Sequence, residues 1–593
     1  MGSRAGVAAP DGRVADGAGS TARTARGECC ALGPTAVDGL RSFESVAEVR
    51  GRSRESAAIG LWAPERHARG VERLGHIEES GSLKYENLVP FVTRRSHALM
   101  YRDYIQVVAG IDSSTQSTKV ELRDIDTGRV IGFGRASHPR TTPPRSEQSP
   151  DAWWSALVDA MAMAVAEATS IPQLSFTNDH VVAISVAAQQ HGLVVLDSRN
   201  TPLRDAKLWN DTESAVDSDW LLRQRTAATW VEQCGSIPVA AFTITKLAWL
   251  KRCEPHIFSQ IRRVLLPHDW LNFKLTGEVV TDRGDASGTG YWSPERGEYQ
   301  TDLLCIIDES HDWSQLLPEV LGPWAPAGEL TTEAASTLGL RQGIPVAIGT
   351  GDNMAGALGL ALRPGDVSIS IGTSGTVYSV SQRSVSDPSG SVAGFADATG
   401  QFLPLVCTLN ATLVTDAMGR LLSADRDELN HLAMSAPGGS GGLTLLPYFA
   451  GERTPNRPEA TGVMDGITLN TSREMMARAA FEGVVCGLLD GLDALASVGV
   501  PTTDGRLFLI GGGANLPIYQ HVMADLSNRV VTIPKNPEIV ATGAAVQAAI
   551  LAGSASVDEV ATRWNLISGD SVEPSGESEV AVQVRRRYSA VRG

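Results

Sequence analysis

The sequence lacks the features that mark membrane, secreted and zinc-binding proteins. No stretch approaches the roughly 18 uninterrupted apolar residues that a membrane span needs. The opening residues, MGSRAGVAAPDGRVADG, lack the apolar core of a secretory signal. The seven cysteines are scattered and form no Cys-x-x-Cys pair, which argues against a disulfide framework or a zinc site. These absences favour a cytoplasmic protein with reduced thiols.

Two common nucleotide-binding motifs are also absent. There is no G-x-x-x-x-G-K-[ST], which disfavours a P-loop fold. The glycine-rich run 511–515 follows a strand pattern but is not G-x-G-x-x-G, which disfavours a dinucleotide fold. The formal net charge of -16 disfavours nucleic acid and anionic membranes as partners, because they are negative themselves. An anionic substrate would therefore need a local cluster of positive charge or a metal ion.

Length and composition predict a multidomain globular protein. A chain of 593 residues with 42% hydrophobic and 20% charged residues is too long for one core. Residues 1–104 differ from the rest: they carry a net charge of +2, against -18 for the remainder, and show no sustained periodicity. We predict a disordered extension there. A transit peptide, or a stretch upstream of a start at Met100, remains an alternative.

Strand and helix patterns predict α/β layers built on one plan used twice. A strand meander begins at Ile105, and its hairpin from Asp112 to Lys119 is matched by a second at Gly372, about 260 residues later. Such self-similarity suggests two domains that face a shared cleft, although two unrelated hairpins would look alike. Thr471 to Glu474 spells a capping box before a long helix. The last 40 or so residues are predicted to be a solvated surface helix and terminus.

The stretch from Val346 to Val380 combines an acid with a turn of the phosphate-binding type. Asp352 follows an apolar strand, and Gly372-Thr-Ser-Gly375 joins two further strands. A carboxylate that accepts a proton, beside backbone N–H groups that hold phosphate, suggests phosphoryl transfer to a hydroxyl. The alternative is an aspartate that caps the following helix.

Seven motifs in the same order resemble the FGGY carbohydrate kinases across roughly 105–553. They are Asp112 to Lys119, Gln190-His191, Trp209-Asn-Asp211, Gly351-Asp-Asn353, Gly372-Thr-Ser-Gly375, Gly451-Glu-Arg-Thr-Pro455 and Gly511-Gly-Gly-Ala514. The resemblance implies two actin-like, ribonuclease-H-type domains with a ligand cleft between them. It divides the chain into an extension (1–104), a sugar-binding domain (105–360), a nucleotide-binding domain (361–553) and a tail (554–593).

The resemblance also implies an activity and its partners. It points to Mg²⁺ and ATP as cofactors, a small sugar as substrate, and most closely to members that convert D-xylulose to D-xylulose 5-phosphate. A kinase for another pentulose or polyol, such as ribulose or glycerol, is one alternative. A catalytically silent sugar sensor and an ATP-driven binding protein of the actin or chaperone kind are others. A homodimer is left open.

Roles carried over from the family fall on individual residues. Asp352 is implied to be the general base, and Asp112 to organise magnesium through water. The sugar-binding set is Gln190, His191, Asp352 and Asn353; the phosphate-binding set is Thr115, Ser117, Gly372 and Thr373; the adenosine-binding set is Gly512, Gly513, Ala514 and Asn515. The chain departs from the family at Ser114 and Ser117, where glycines are frequent, and at Gln190, where methionine is common.

Overall fold

The structure, a computed structural model, describes residues 105–554 and 556–593. The predicted extension, 1–104, lies outside the described residues. Two seven-stranded mixed sheets with helices around them form the fold. Across the described ranges, no helix combines the length and the apolar character needed to cross a membrane.

The helices and strands are numbered here in chain order. The strands are β1 (Val107–Ser113), β2 (Ser117–Asp124), β3 (Val130–Ser137), β4 (Glu147–Gln148), β5 (Val181–Ala188), β6 (Val194–Leu196), β7 (Ala206–Lys207), β8 (Arg263–Leu265), β9 (Val280–Asp282), β10 (Trp292–Ser293), β11 (Glu298–Tyr299), β12 (Glu319–Leu321), β13 (Pro326–Glu329), β14 (Pro345–Ala347), β15 (Thr350–Gly351), β16 (Val367–Ile371), β17 (Gly375–Ser379), β18 (Ala393–Ala396), β19 (Phe402–Thr408), β20 (Thr444–Leu446), β21 (Val463–Asp465), β22 (Leu507–Ile510), β23 (Val531–Pro534) and β24 (Gly569–Val572). The α-helices are α1 (Pro150–Thr169), α2 (Ala215–Gln224), α3 (Ala227–Cys234), α4 (Thr243–Cys253), α5 (Pro255–Phe258), α6 (Pro267–Thr276), α7 (Arg283–Ser287), α8 (Thr301–Cys305), α9 (Thr332–Leu338), α10 (Asp352–Gly359), α11 (Thr412–Leu421), α12 (Arg426–Ser435), α13 (Arg473–Ser497), α14 (Pro517–Ser527), α15 (Ile539–Leu551), α16 (Val557–Arg563) and α17 (Ser578–Arg592).

The two large sheets repeat one strand plan. In the first, β1, β2 and β3 form an antiparallel meander, and β5 runs parallel to β1 on its other side. In the second, β16, β17 and β19 are antiparallel, and β22 runs parallel to β16. Both predicted hairpins therefore occupy the same place in their sheets. The duplicated α/β plan expected from the sequence is confirmed, whereas the boundary after residue 360 stays a prediction.

One helix of the second domain packs directly on the first. Helix α15 lies against β1, β5 and α10. A Cβ added at Gly543 would lie 1.8 Å from the carbonyl oxygen of Ala355, and one added at Gly110 would lie 2.1 Å from that of Ala541. Glycine is required at both positions because the backbones approach too closely for a side chain. The interface is thus held by backbone contact as well as by apolar packing.

Two sequence expectations differ from the structure in detail. The residue at the N-cap of α13 is Ser472, whose hydroxyl accepts the N–H of Met475, so the predicted capping box at Thr471 was one residue early. The final segments are not simply solvated: β24 pairs with β23, and Val584 and Tyr588 of α17 pack in an apolar cluster. Periodicity did not show this burial because α17 contacts residues distant in sequence.

Candidate active site

The candidate site lies where the parallel strands of the first sheet end. Asp112, in β1, is level with Ala187 of β5, which pairs on its other side with Thr350 of β15. Neighbouring strands lie about 4.8 Å apart, so the ends of β1 and β15 are roughly 10 Å apart at one edge. Asp352 follows β15 directly. The tertiary structure therefore brings the two predicted acids, Asp112 and Asp352, to the same edge.

Asp352 has the electrostatics of a general base. Its side chain is half-buried at the first position of α10, and its Oδ1 accepts the backbone N–H and the side-chain amide of Asn353, both at 2.8 Å. Burial and the negative charge of Asp112 raise the pKa of Asp352 to about 7. Gly351, not Asp352, occupies the N-cap position. A carboxyl that is partly ionised near neutral pH is suited to accept a proton.

Three of the four predicted sugar-binding residues form one hydrogen-bonded chain. The side-chain amide of Asn353 donates to Asp352 and also to Oε1 of Gln190, at 3.0 Å. Gln190 is buried, and its Nε2 has no hydrogen-bond partner among the described residues. A buried donor without a partner costs free energy unless a ligand or water satisfies it. The arrangement thus presents a free amide donor beside the base.

His191 is held as a neutral hydrogen-bond acceptor. Its backbone adopts φ +65°, and its Nδ1 lies 2.7 Å from the carbonyl oxygen of Gly288, to which it donates. Burial and the positive charges of Lys246 and Arg453 lower the pKa of His191 to about 3. The proton on Nδ1 leaves Nε2 as an acceptor. A sugar hydroxyl is a donor that fits it.

Asp112 belongs to a charge network that reaches the second domain. Its carboxylate accepts the Ser114 hydroxyl at 2.5 Å and the Lys119 ammonium at 3.2 Å. The same ammonium pairs with Glu538, just before α15, at 2.7 Å. Burial raises the pKa of Asp112 despite the opposing effect of Lys119. The carboxylates of Asp112 and Asp352, at the same sheet edge, are oxygen donors of the kind that fits Mg²⁺, a cation usually held by one or two carboxylates, water and phosphate.

The two predicted phosphate ligands of the first hairpin, Thr115 and Ser117, differ in burial and in hydrogen bonding. The hydroxyl oxygen of Thr115 accepts the indole N–H of Trp209 at 2.9 Å, which leaves the hydroxyl proton of this half-buried residue to donate. Ser117 is buried, and its oxygen accepts the guanidinium of Arg135 at 3.2 Å. Thr115 is therefore the better placed of the two, and Trp209 orients it.

The predicted nucleotide residues meet at the corresponding edge of the second sheet. The Gly372 turn follows β16 and the Gly512 turn follows its parallel neighbour β22. A Cβ at Gly513 would lie 2.3 Å from Cγ2 of Ile371, so the two turns pack together. The Gly372 N–H donates to the Ser374 carbonyl within its own turn, whereas Thr373 is exposed. Gly512 and Asn515 are exposed, and Gly513 and Ala514 are buried.

A pocket of about 190 Å³ adjoins the Gly512 turn. Arg426 lines it and donates to the Gly512 carbonyl oxygen at 2.6 Å. Phe481 and Leu516 supply apolar wall, while Asp416 and Arg420 supply polar groups. A flat base next to a glycine turn fits this mixture of apolar and polar lining.

The sequence patterns assigned no individual role to two groups that the structure places at the site, Lys119 and Arg453. Lys119 had a readable signal, because a hairpin that turns near residues 115–116 sets it directly opposite Asp112. Nothing local indicated that Arg453 lies near His191, 262 positions away in the chain.

Two family models match this chain. The model of the N-terminal domain of the FGGY family of carbohydrate kinases matches residues 107–359, and the model of the C-terminal domain matches residues 367–552.

Individual proteins give a finer comparison. The chain is 43% identical over 468 residues to the xylulose kinase of Streptomyces rubiginosus, covering 79% of this chain and 92% of that protein. It is 34% identical over 426 residues to the xylulose kinase of Escherichia coli, covering 71% and 84%.

Solved structures agree in fold. The xylulose kinase of Bifidobacterium adolescentis superposes with a TM-score of 0.70 at 37% identity, covering 82% of this chain and 100% of that one. The glycerol kinase of Plasmodium falciparum with ADP superposes with a TM-score of 0.73 at 21% identity, covering 82% and 98%, which shows the fold alone. The predicted two-domain, actin-like fold is thereby confirmed.

Proposed function

Because the chain belongs to the FGGY family of carbohydrate kinases, we propose that it transfers the γ-phosphoryl group of ATP to the terminal hydroxyl of D-xylulose. The observation that carries the proposal is the hydrogen-bonded chain from Gln190 through Asn353 to Asp352, with its unpaired amide donor beside a carboxyl of raised pKa. The relatives named xylulose kinase support the choice of sugar.

In the proposed reaction Asp352 accepts the proton of the sugar hydroxyl. The oxygen attacks the γ-phosphorus, a new O–P bond forms, and the bond between that phosphorus and the β,γ-bridging oxygen breaks to release ADP. A base with a pKa of about 7 takes this proton more readily than an ordinary aspartate does. Bound Mg²⁺ would offset negative charge on the phosphates, and Asp112 is the residue proposed to hold it through water.

Sugar recognition is proposed to use complementary donors and acceptors. The free Nε2 of Gln190 donates to a sugar oxygen, and Nε2 of His191 accepts from a sugar hydroxyl. The ring of His191 is held by Phe242 and Phe395, with centroids 5.0 and 5.6 Å away. A rigid acceptor of this kind discriminates strongly against sugars that lack the matching hydroxyl.

Nucleotide binding is proposed to occur between the glycine turns. Thr115 and Thr373 offer hydroxyls to the phosphates from the first and second domains. The Gly512 turn and the adjoining pocket receive the adenosine, with Asn515 exposed at the turn. The short side chains of this turn leave room for a flat purine.

A panel of sugars tests the proposed activity. Purified protein with Mg-ATP should release ADP with D-xylulose and much less with D-ribulose or glycerol. Turnover of ribulose or glycerol without turnover of D-xylulose would instead identify a neighbouring kinase of the family. Stabilisation by sugar without any ADP release would favour a silent sensor.

Replacing Gln190 by leucine should weaken sugar binding selectively. The change removes the unpaired donor and the acceptor for Asn353, so we expect KM for D-xylulose to rise about 10- to 100-fold, the effect of one or two lost hydrogen bonds to ligand. KM for ATP should stay within about twofold. Gln224→Leu, at an exposed position of α2, serves as the control. Equal sugar KM values in the two variants would remove Gln190 from the sugar site.

The pH dependence of kcat/KM should report the ionisation of Asp352. The base must be ionised to accept a proton, so at saturating Mg-ATP we expect kcat/KM for sugar to fall about tenfold per pH unit below pH 7. In Asp112→Asn the acid limb should move to lower pH, because the charge that raises the pKa of Asp352 is gone. An acid limb at the same pH in both proteins would show that these carboxyls are not coupled.

A further inference from the structure

The short segment from Asp282 to Gly288, at the end of β9 and through α7, touches both halves of the sugar site. At its start, Oδ2 of Asp282 accepts the Thr350 hydroxyl at 2.7 Å. At its end, the carbonyl oxygen of Gly288 accepts the N–H of His191 at 2.7 Å. Thr350 lies two residues before Asp352. One rigid turn of chain therefore contacts the strand of the base and the sugar-binding histidine.

Close packing keeps this segment in place. A Cβ at Gly284 would lie 2.8 Å from Oγ1 of Thr350, and one at Gly288 would lie 2.4 Å from the ring of His191. Asp282 also caps α7 by accepting the N–H groups of Gly284 and Asp285 at 2.7 and 3.0 Å. Any displacement of the segment would therefore also displace Thr350 and His191, which it contacts.

A buried histidine adds a second link to the chain just before β15. Nε2 of His268 donates to the carbonyl oxygen of Ile348 at 2.7 Å, and Nδ1 lies 3.0 Å from Oδ1 of Asp269 and 3.3 Å from Oδ2 of Asp285. All three side chains are buried. Burial alone would lower the pKa of His268, but the two carboxylates raise it well above its ordinary value.

The proton shared in this cluster belongs on His268. Burial also raises the pKa of Asp285 to about 7, which taken alone would favour a neutral acid. The proton is assigned to the histidine because Nδ1 of its ring faces two carboxylates while Nε2 donates to the carbonyl oxygen of Ile348. Although His268, Asp269 and Asp285 lie close enough to share a metal ion, an imidazolium already supplies the positive charge.

We propose that Asp282, Asp285, His268 and Thr350 are positioning residues. They hold Asp352 and His191 in the relative positions that phosphoryl transfer needs. The proposal rests on the function proposed above and adds residues that touch neither sugar nor nucleotide. Ser287 extends the link to the second domain, since its hydroxyl oxygen accepts the backbone N–H of Ala396 at 3.0 Å. A misplacement of about 1 Å between reacting groups can lower the rate by about 100-fold.

The Thr350 hydroxyl gives the sharpest test, because serine keeps it while valine and alanine remove it. We expect Thr350→Val and Thr350→Ala to lower kcat about 10- to 100-fold with KM for ATP within twofold, and Thr350→Ser to stay near the parent. The two slow variants should also shift the acid limb of the kcat/KM profile, which a merely structural role would leave in place.

Thr281 supplies a matched control one residue before Asp282. It is buried, and its hydroxyl has no hydrogen-bond partner among the residues described. Thr281→Val is therefore expected to keep the parent kcat. Serine, alanine and valine variants of Thr350 with kcat values within twofold of one another would overturn the positioning proposal.

Asp352→Asn separates this proposal from the proposed function. If that variant is inactive while the Thr350 variants keep full kcat, the positioning role fails and the base role stands. If Asp352→Asn keeps near-parent turnover, the proposed function with Asp352 as its base fails, whatever the Thr350 variants show. A Thr281→Val variant as slow as Thr350→Val would assign both losses to general packing and would also overturn the positioning proposal.

Discussion

Asp352→Asn should lose about 100- to 10,000-fold in kcat and yet become more resistant to heat at pH 8. The amide keeps an oxygen that can accept from Asn353. It cannot accept a proton from the sugar hydroxyl, and loss of general-base catalysis typically costs about 100- to 10,000-fold. Sugar-dependent stabilisation should persist, because the remaining sugar contacts are unchanged.

The gain in stability follows from the direction of the pKa shift. Asp352 has a pKa of about 7 in the folded protein against 3.8 for the ordinary group, so its ionised form is disfavoured by folding. Its contribution to stability is complete below the unfolded pKa and is lost as pH rises through 7. Replacement should therefore stabilise most above pH 7, by up to about 4 kcal/mol, and least near pH 4.

Thermal melts of the parent and the variant between pH 5 and pH 8, with and without D-xylulose, measure this effect. Asp126→Asn, at an exposed turn, serves as the control and should show no such trend. An Asp352→Asn protein that melts lower than the parent at pH 8 would contradict the assigned electrostatics. One that turns over normally would remove Asp352 from the base role.

Gly543→Ala should be among the most destabilising single substitutions in the chain. The new methyl would lie 1.8 Å from the Ala355 carbonyl oxygen and 2.6 Å from its carbon, so helices α15 and α10 would have to separate. Overpacking against backbone costs about 3 kcal/mol or more. Because α10 begins with Asp352, kcat should fall as well.

Gly322→Ala is the matched control for this change. A Cβ there would meet nothing within 4 Å, and its backbone lies outside the left-handed region. We expect melting temperature to fall by at least about 5 °C for Gly543→Ala and by less than about 1 °C for Gly322→Ala. Equal melting temperatures would show that the helices adjust without cost.

Much of the fold was predictable because its determinants are local. The alternation in VSISI and the Ser/Thr/Gly turns predicted both hairpins, and β16 and β17 confirm the second. The capping residue of α13 was predicted one residue early because Thr471 and Ser472 both have hydroxyls that can cap a helix. The burial of α17 depended on contacts with distant residues such as Cys486.

The candidate site, like the fold, was predictable where local sequence decides and not where contacts between distant residues decide. Strand ends and family motifs selected Asp112, Gln190, His191 and Asp352, which the structure places near one edge of the first sheet, while their roles remain predictions. No pattern indicated His268 or Thr350, whose importance comes from what they contact. Both lie in ordinary-looking strand and helix segments.

The sequence by itself determined the strands, the turns and the supply of acids and amides at strand ends, since backbone preferences and side-chain period act over a few residues. Only the tertiary structure decided which of those groups remain free to act. The side-chain oxygen of Gln190 accepts from Asn353, 163 positions away, while its Nε2 stays an unpaired donor. The pKa of Asp352 is raised by burial and by the negative charge of Asp112. Hydrogen bonding, desolvation and charge interaction depend on distances through space, which folding alone sets.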